Sequence, residues 1–277
     1  MLFRSAQQLT ENMGQQIIVE NRPGASSLVG TQLVAKAPPD GYTLLAIANT
    51  FAMVPSIVSN PGYDPLKDFA PITLTCAVPQ VLDVNPALPV KNVRELIALA
   101  KAKPGSIGYA SSGSGSTPHL AGEYLKMIAH IDLVHVPYKG AAPALNEVLG
   151  GHVPITIVGP PPALPHLNSG KLKALAVTTA KRYATLPQVP TIAEAGFTGF
   201  DVSAWYGFYA PARTPQAIIA RLNRELVAIL GKADVRARIA QLGLDVIAGT
   251  PEAHAAFIQA ELARWTPVIK ASNMRIE

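Results

Sequence analysis

Residues 109–123 read YASSGSGSTPHLAGE, and they lay a strand, a loop and a helix end to end. The apolar run 107–110 has the length and composition of a buried strand. Residues 111–117 then carry only serine, glycine and threonine. Thr117 followed by Pro118 suits a helix start, a capping hydroxyl with proline at the first helical position. A helix over 118–130 and a strand over 133–136 complete a β-α-β unit and make the fold class α/β. Glycines let the backbone approach a ligand closely, and free N–H groups with the helix dipole favour an anion. Hydroxyls add donors without adding charge. A solvated serine/glycine surface loop is the other reading, but a strand before it and a helix after it favour the anion site.

The same alternation extends in both directions. Upstream, 2–13 is expected as a helix, with Leu2, Ala6, Leu9 and Met13 on one face and Gly14 ending it. A short strand is expected at 17–19, closed by a turn at 21–24. A helix over 28–36 and strands at 43–48, 71–78 and 80–84 follow. A further helix opens at Asn92, with Glu95 as its capping-box partner. Downstream come a helix at 142–149, a strand at 155–158, a short helix near Ala163, and strands at 172–177 and 202–209. Helices at 215–230, 233–242 and 252–271 close the chain, and Thr214-Pro215 and Thr250-Pro251 mark two of their starts. Strands separated by helices imply parallel sheets. So many strands would strain one open sheet, so two lobes are expected, the chain crossing near 80–84 and 202–209.

Several classes are excluded by composition. Of 277 residues, 49% are hydrophobic and 15% charged, which argues against disorder. The formal charge of +5 is scattered, and its densest stretch, 221–238, is broken by Glu225 and Asp234 without interleaved aromatics. No nucleic-acid partner is expected. The most apolar run, 44–58, is interrupted by Asn49, Thr50 and Pro55, so no membrane span is read there. Cys76 stands alone in an apolar run and reads as a buried, inert thiol. The first residues, with Arg4, Gln7, Gln8, Glu11 and Asn12, do not form a signal peptide.

Enzyme readings of the 111–117 loop fail on spacing. A dinucleotide fingerprint would need glycine where Pro118 stands, and neither Gly170-Lys171 nor Gly231-Lys232 continues as a P-loop. No Gly-x-Ser-x-Gly elbow occurs. His119 lies near the serines, and with no acid evident to orient it the residue reads as a loop-to-helix hydrogen bonder rather than a nucleophile's base. The six histidines, His119, His130, His135, His152, His166 and His254, never pair at helical ligand spacing, so no metal is expected. Asn49 and Thr50 sit just beyond the carboxyl end of a strand, where open α/β sheets bind ligands. Pro137, Tyr138, Lys139 and Gly140 also link a strand to a helix. Tyr138 could contribute an aromatic face or simply pack, and Lys139 could be a cation for the ligand or merely solvated.

On these segments the chain resembles the Bug proteins, the TctC-like substrate-binding receptors of tripartite tricarboxylate transporters. The matching stretches are VENRPGASSLVG (19–30), AKAPPDGYTLL (35–45), YASSGSGSTPHLAGE (109–123), HVPYKGAAPAL (135–145), ALPHLNSGKLKALAVTT (163–179), LPQVPTIAEAGF (186–197) and WYGFYAPARTP (205–215). They cover nearly the whole chain in family order. The resemblance implies a periplasmic, two-lobed Venus-flytrap fold of type II, each lobe a mixed sheet flanked by helices. Residues 1–80 with 203–277 would form the first lobe, and 81–202 the inserted second. It implies a small organic carboxylate held in the interdomain cleft, the membrane components of a tripartite transporter as partners, a monomer, no cofactor and no catalysis. Carried over, the ligand residues are Ser111, Ser112, Gly113, Ser114, Gly115, Ser116, Thr117, Tyr138, Lys139 and Gly140, with Asn49 and Thr50 from the first lobe. Pro160, in the run Gly159-Pro160-Pro161-Pro162, would give the cleft an apolar wall. Two departures accompany the match. A first strand and a glycine loop would precede the first helix, so the start is expected to be truncated or misassigned. Val158 replaces an aspartate suited to an amino group, which makes an amino-acid ligand less expected. A carboxylate sensor feeding a signalling partner is the alternative, and a serine hydrolase using Ser114 or Ser116 a more distant one.

Overall fold

The computed structural model describes residues 2–22, 27–272 and 274. In chain order the elements are α1 (Leu2–Met13), α2 (Leu28–Ala35), β1 (Leu45–Ala48), α3 (Thr50–Ile57), β2 (Phe69–Pro79), β3 (Val81–Val84) and α4 (Val93–Ala102). Then follow β4 (Gly108–Ser111), α5 (Thr117–Ala129), β5 (Val134–Pro137), α6 (Ala141–Leu149), β6 (Ile155–Val158), α7 (Pro160–Asn168) and β7 (Lys173–Val177). The last are β8 (Ser203–Pro211), α8 (Gln216–Gly231), α9 (Ala233–Gln241), β9 (Asp245–Val246) and α10 (Pro251–Ala271). These elements group into two compact units. One gathers Met1–Ala77 and Trp205–Pro267, the other Val78–Ala204 and Val268–Arg275. The chain passes between them within β2, β8 and α10.

In the first unit the sheet runs β1-β8-β2-β9. Ile219, Leu222, Leu226 and Ile229 recur at helical spacing along α8, and that stripe packs with Leu9 of α1, Ile72 and Ala210. Asn223, on the same helix, donates from its amide to the carbonyls of Ile72 and Gly249, both at 2.9 Å. A second cluster is aromatic. Phe51 stacks on Tyr209 at 4.2 Å, and the Tyr63 hydroxyl donates to the Phe51 carbonyl at 2.8 Å. Cys76 is fully buried, and burial pushes its thiol up.

The second unit's sheet runs β5-β4-β6-β3-β7. β4 pairs in parallel with β5 and β6, whereas β3 is antiparallel to β6 and β7. Successive strand residues face opposite sides. Ala110 packs with Ala144, Leu145 and Val148 of α6, and Tyr109 with α5 on the other face. α4 starts as read: Asn92 Oδ1 accepts from the Glu95 amide at 2.9 Å, and Glu95 Oε2 accepts from the Lys91 amide at 2.7 Å.

Several expectations need correction. Residues 17–19 form no strand. The Ile17 amide donates to Thr10 Oγ1 at 3.0 Å instead of joining a ladder, and Ile18 is 75% exposed. The turn expected at 21–24 lies partly outside the described residues. The sheets are mixed rather than purely parallel, because β3 enters between β6 and β7 running against them, and β1 pairs antiparallel with β8. α3 was not anticipated, since Pro55 lies inside it. Thr214 does not cap α8. Its hydroxyl donates to the Pro211 carbonyl at 2.7 Å, leaving Pro215 in the cap position. Thr250 does accept from the Ala253 amide, at 3.2 Å. No helix among the described residues is long and apolar enough to cross a membrane.

Asp83 is the anomaly of the second unit. It lies on β3 opposite Thr156 and Ala174, is fully buried, and neither carboxyl oxygen has a hydrogen-bond partner among the described residues. Burial raises its pKa well above the ordinary carboxylate range, so the folded form is the neutral acid. The unfolded chain ionises first as pH rises, so this group's contribution to stability is largest below the unfolded pKa and declines above it. Asp83→Val, which removes an unpaired polar group and fills the strand with a β-branched residue, should raise stability by roughly 1–3 kcal/mol near neutral pH. Urea unfolding at pH 7 measures it, and a lower midpoint would contradict this account.

Candidate functional site

Because β5, β4 and β6 are parallel, their carboxyl ends fall on one edge of the sheet, at Pro137, Ser111 and Val158. α6, α5 and α7 each begin within a few residues of those ends. Three helix N-termini therefore open beside one another, and their dipoles make such an edge attractive to an anion, although α7 opens on three prolines and adds no first-turn N–H donors. The loops are also tied together. The Tyr138 amide donates to the Ser111 carbonyl at 3.0 Å and the Gly140 amide to the Ser112 carbonyl at 3.2 Å.

Internal hydrogen bonds shape the 111–117 loop. Ser111 is fully buried, and its Oγ accepts from the Gly113 amide at 3.1 Å and lies 2.6 Å from His135 Nε2. Ser116, rather than Thr117, is the N-cap of α5. Its hydroxyl donates to the Gly113 carbonyl at 2.6 Å and accepts from the His119 amide at 3.5 Å. The change of one position follows from Pro118, which has no N–H and fits the second helical position as well as the first. The Gly115 amide donates to His119 Nδ1 at 3.1 Å. Gly113 adopts φ +131°, and a Cβ there would stand 3.3 Å from the Tyr138 carbonyl, so only glycine suits the point where the two loops meet. Among the described residues, the amides and hydroxyls of Ser112 and Ser114 make no hydrogen bond within the protein.

Of the other residues singled out, Tyr138 is half-buried and packs against the α6 core, Lys139 is exposed, and Gly140 caps α6 at φ +115°. Pro160 is buried as the first residue of α7, where three successive prolines remove the N–H donors. Val158 is buried opposite Val81. Asn49 and Thr50 belong to the first unit. Asn49 is buried at the N-cap of α3, and its carbonyl accepts from the amides of Ala52 and Met53. In that unit a hollow of about 200 Å³ is lined by Ser27, Ala46, Ile47, Ala48, Thr75 and Tyr206 with its two successors.

Beneath the serine/glycine loop lies a buried polar group that was not anticipated. His119 and His135 stack, and Glu123 stands 4.0 Å from His119 Nε2, so an acid does lie near that histidine. Glu123 accepts from the Tyr109 hydroxyl at 2.8 Å and from Lys126 at 3.0 Å. The signal was present in the periodicities. Tyr109 and His135 occupy one register position on neighbouring strands, and His119 and Glu123 are four apart on a helix. No group of three metal-ligating side chains occurs among the described residues.

Comparison with known proteins identifies the family. The family model described as tripartite tricarboxylate transporter family receptor, TctC, matches residues 2–274. The chain belongs to the TctC family. That family comprises solute-binding receptors rather than enzymes. Protein BugT of Bordetella pertussis is 37% identical over 275 residues, covering 98% of this chain and 84% of that protein. Rpa4515 of R. palustris, solved with adipate, is 36% identical with a TM-score of 0.83, over 99% of this chain and 92% of that one. MatC of Rhodopseudomonas palustris, solved with bound malate, is 32% identical with a TM-score of 0.80, over 96% and 92%. The TctC-type α/β architecture with its mixed sheets is thus shown, as the sequence resemblance implied.

Both stacked histidines are neutral in the folded protein. Burial chiefly, then the neighbouring His135 and Lys126, lowers His119 from 6.5 to about 3. Burial and Lys126 lower His135 to about 4. The unfolded chain therefore takes up protons first on acidification, and the contribution of these groups is present above pH 6.5 and lost below it. Stability should fall steadily from pH 6.5 toward 4, by up to about 1.4 kcal/mol per pH unit for each histidine. Denaturant midpoints across that range check it, and a flat profile would contradict the neutral pair.

Proposed function

We propose that this TctC-family protein is the extracytoplasmic receptor of a tripartite tricarboxylate-type transporter and captures a small organic carboxylate reversibly. The observation that carries the reading is the shared edge of β5, β4 and β6. There, three helix N-termini meet a loop whose Ser112 and Ser114 amides and hydroxyls are uncommitted. Such donors suit a carboxylate, whose oxygens accept several hydrogen bonds each without needing a cationic clamp. Solved relatives holding adipate and malate support the ligand class.

The proposed ligand residues are Ser111, Ser112, Gly113, Ser114, Gly115, Ser116, Thr117, Tyr138, Lys139, Gly140 and Pro160. Ser111 and Ser116 act by shaping the loop, since their hydroxyls are engaged within it. Asn49 and Thr50 of the first unit join the set on the strength of the family resemblance. Buried Val158 places no acid at the end of β6, which suits a ligand without an amino group. The protein works as a periplasmic monomer, handing its cargo to membrane components, with differential contacts favouring the ligand-bound conformation.

A thermal-shift screen against mono- and dicarboxylates, including adipate and malate, tests the reading. A ligand at 100 times its dissociation constant should add roughly 2.7 kcal/mol. Gly113→Ala should weaken that ligand about tenfold, near 1.4 kcal/mol, because the loop must shift away from Tyr138. The absence of a shift with every acid in the panel would overturn the proposal.

A further inference from the structure

The proposed carboxylate capture leaves two imidazoles, buried His119 and half-buried His135, without a role. His119 comes from the first turn of α5 and His135 from β5, and their rings stack with centroids 3.6 Å apart and planes within 7°. Each ring makes one hydrogen bond into the loop, at a different point. The Gly115 amide donates to His119 Nδ1 at 3.1 Å, and His135 Nε2 lies 2.6 Å from Ser111 Oγ. Ser111 Oγ in turn accepts from the Gly113 amide at 3.1 Å. The two imidazoles thus account, directly or through one hydroxyl, for the amides of residues 113 and 115. The intervening amides, of Ser112 and Ser114, remain without an internal partner among the described residues.

The wiring fixes the chemistry of the rings. A Gly115 N–H can donate to Nδ1 of His119 only if that nitrogen carries no proton, so the ring's proton sits on Nε2, facing Glu123. Two imidazolium rings stacked at 3.6 Å would repel each other, and burial keeps both neutral. The titratable and charged groups around the pair are Glu123 and Lys126 of α5 and Tyr109 of β4. Lys126 and the Tyr109 hydroxyl both hydrogen-bond to Glu123.

We infer that His119 and His135 are positioning residues for the carboxylate loop, pinning alternate amides at Gly113 and Gly115 so that those of Ser112 and Ser114 are left for the ligand. This rests on the carboxylate reading of the loop. It adds that the donors are selected from below, by neutral rings that do not touch the cargo.

The test uses the full chain with His119→Ala, His119→Asn, His135→Ala and His135→Gln, with adipate and malate as probes at pH 7. Asparagine keeps an acceptor near Nδ1, and glutamine keeps a polar group near Nε2, while neither can titrate. The alanine variants should bind the probe roughly tenfold more weakly, and the amide variants should recover most of that loss. In ligand-free protein, nitrogen-15 spectra should show His119 Nδ1 unprotonated. The Gly115 amide should exchange slowly in wild type and His119→Asn, and fast in His119→Ala. Wild-type affinity in a folded His119→Ala protein, or fast Gly115 exchange in His119→Asn, would overturn the inference. If neither probe binds wild type, the ligand reading fails on its own, and the Gly115 exchange pattern still decides whether the rings pin the loop. If His119→Ala does not fold, His119→Asn decides: retained slow exchange supports the inference and its loss overturns it.

Discussion

Tyr109 lies so close against α5 that a Cβ on Gly122 would stand 2.3 Å from its Cε2. That approach sets the depth at which the helix rests on β4, and with it where the first turn of α5 meets the end of the strand. Any side chain at residue 122 would lift the helix, and a well-packed core absorbs such strain at a cost of about 1–3 kcal/mol. The Tyr109 hydroxyl, held by Glu123, fixes the same spacing by a second contact. The loop between strand and helix is short, so its conformation depends on this distance. Capping by Ser116, the turn at Gly113 and the bond from Gly115 to His119 all follow from it.

The second unit treats its two buried acids in opposite ways. Glu123 is surrounded by a phenol, an ammonium and an imidazole, so its burial is compensated by hydrogen bonds. Asp83 has no partner among the described residues and persists as a neutral acid. Partnered acids of the first kind confer order on their surroundings, and the order here is delivered to the loop proposed to face the ligand. Nothing in the hydrogen bonding around Asp83 explains its retention in the central region of the sheet.

Element type was legible wherever one periodicity ran long enough. The helix over 215–230 and the capping box at Asn92 and Glu95 were plain, because both depend on neighbours in sequence. Strand direction was not, because it depends on partners far along the chain. β3 looks like any buried strand until it pairs against β6 and β7. The 17–19 segment failed for a related reason: its backbone found Thr10 rather than a neighbouring strand. At the loop, residue chemistry pointed to an anion without contacts being visible. His119 reads from sequence as a hydrogen bonder between loop and helix, as found, but its stack with His135 was not legible, because the two rings approach each other only once β5 and α5 pack on β4.

Among the residues proposed to meet the ligand, Lys139 is the one charged side chain, and it is exposed. The remaining donors are neutral amides and hydroxyls, whose fields act only near contact. A charged clamp would draw its ligand from about a Debye length away, roughly 8 Å at physiological ionic strength, and would lose that reach as salt rose. A neutral edge has little such reach to lose. For the proposed capture, encounter is then governed by ordinary diffusion and affinity resides in how slowly the cargo leaves, which makes binding steady as the ionic strength around the protein changes.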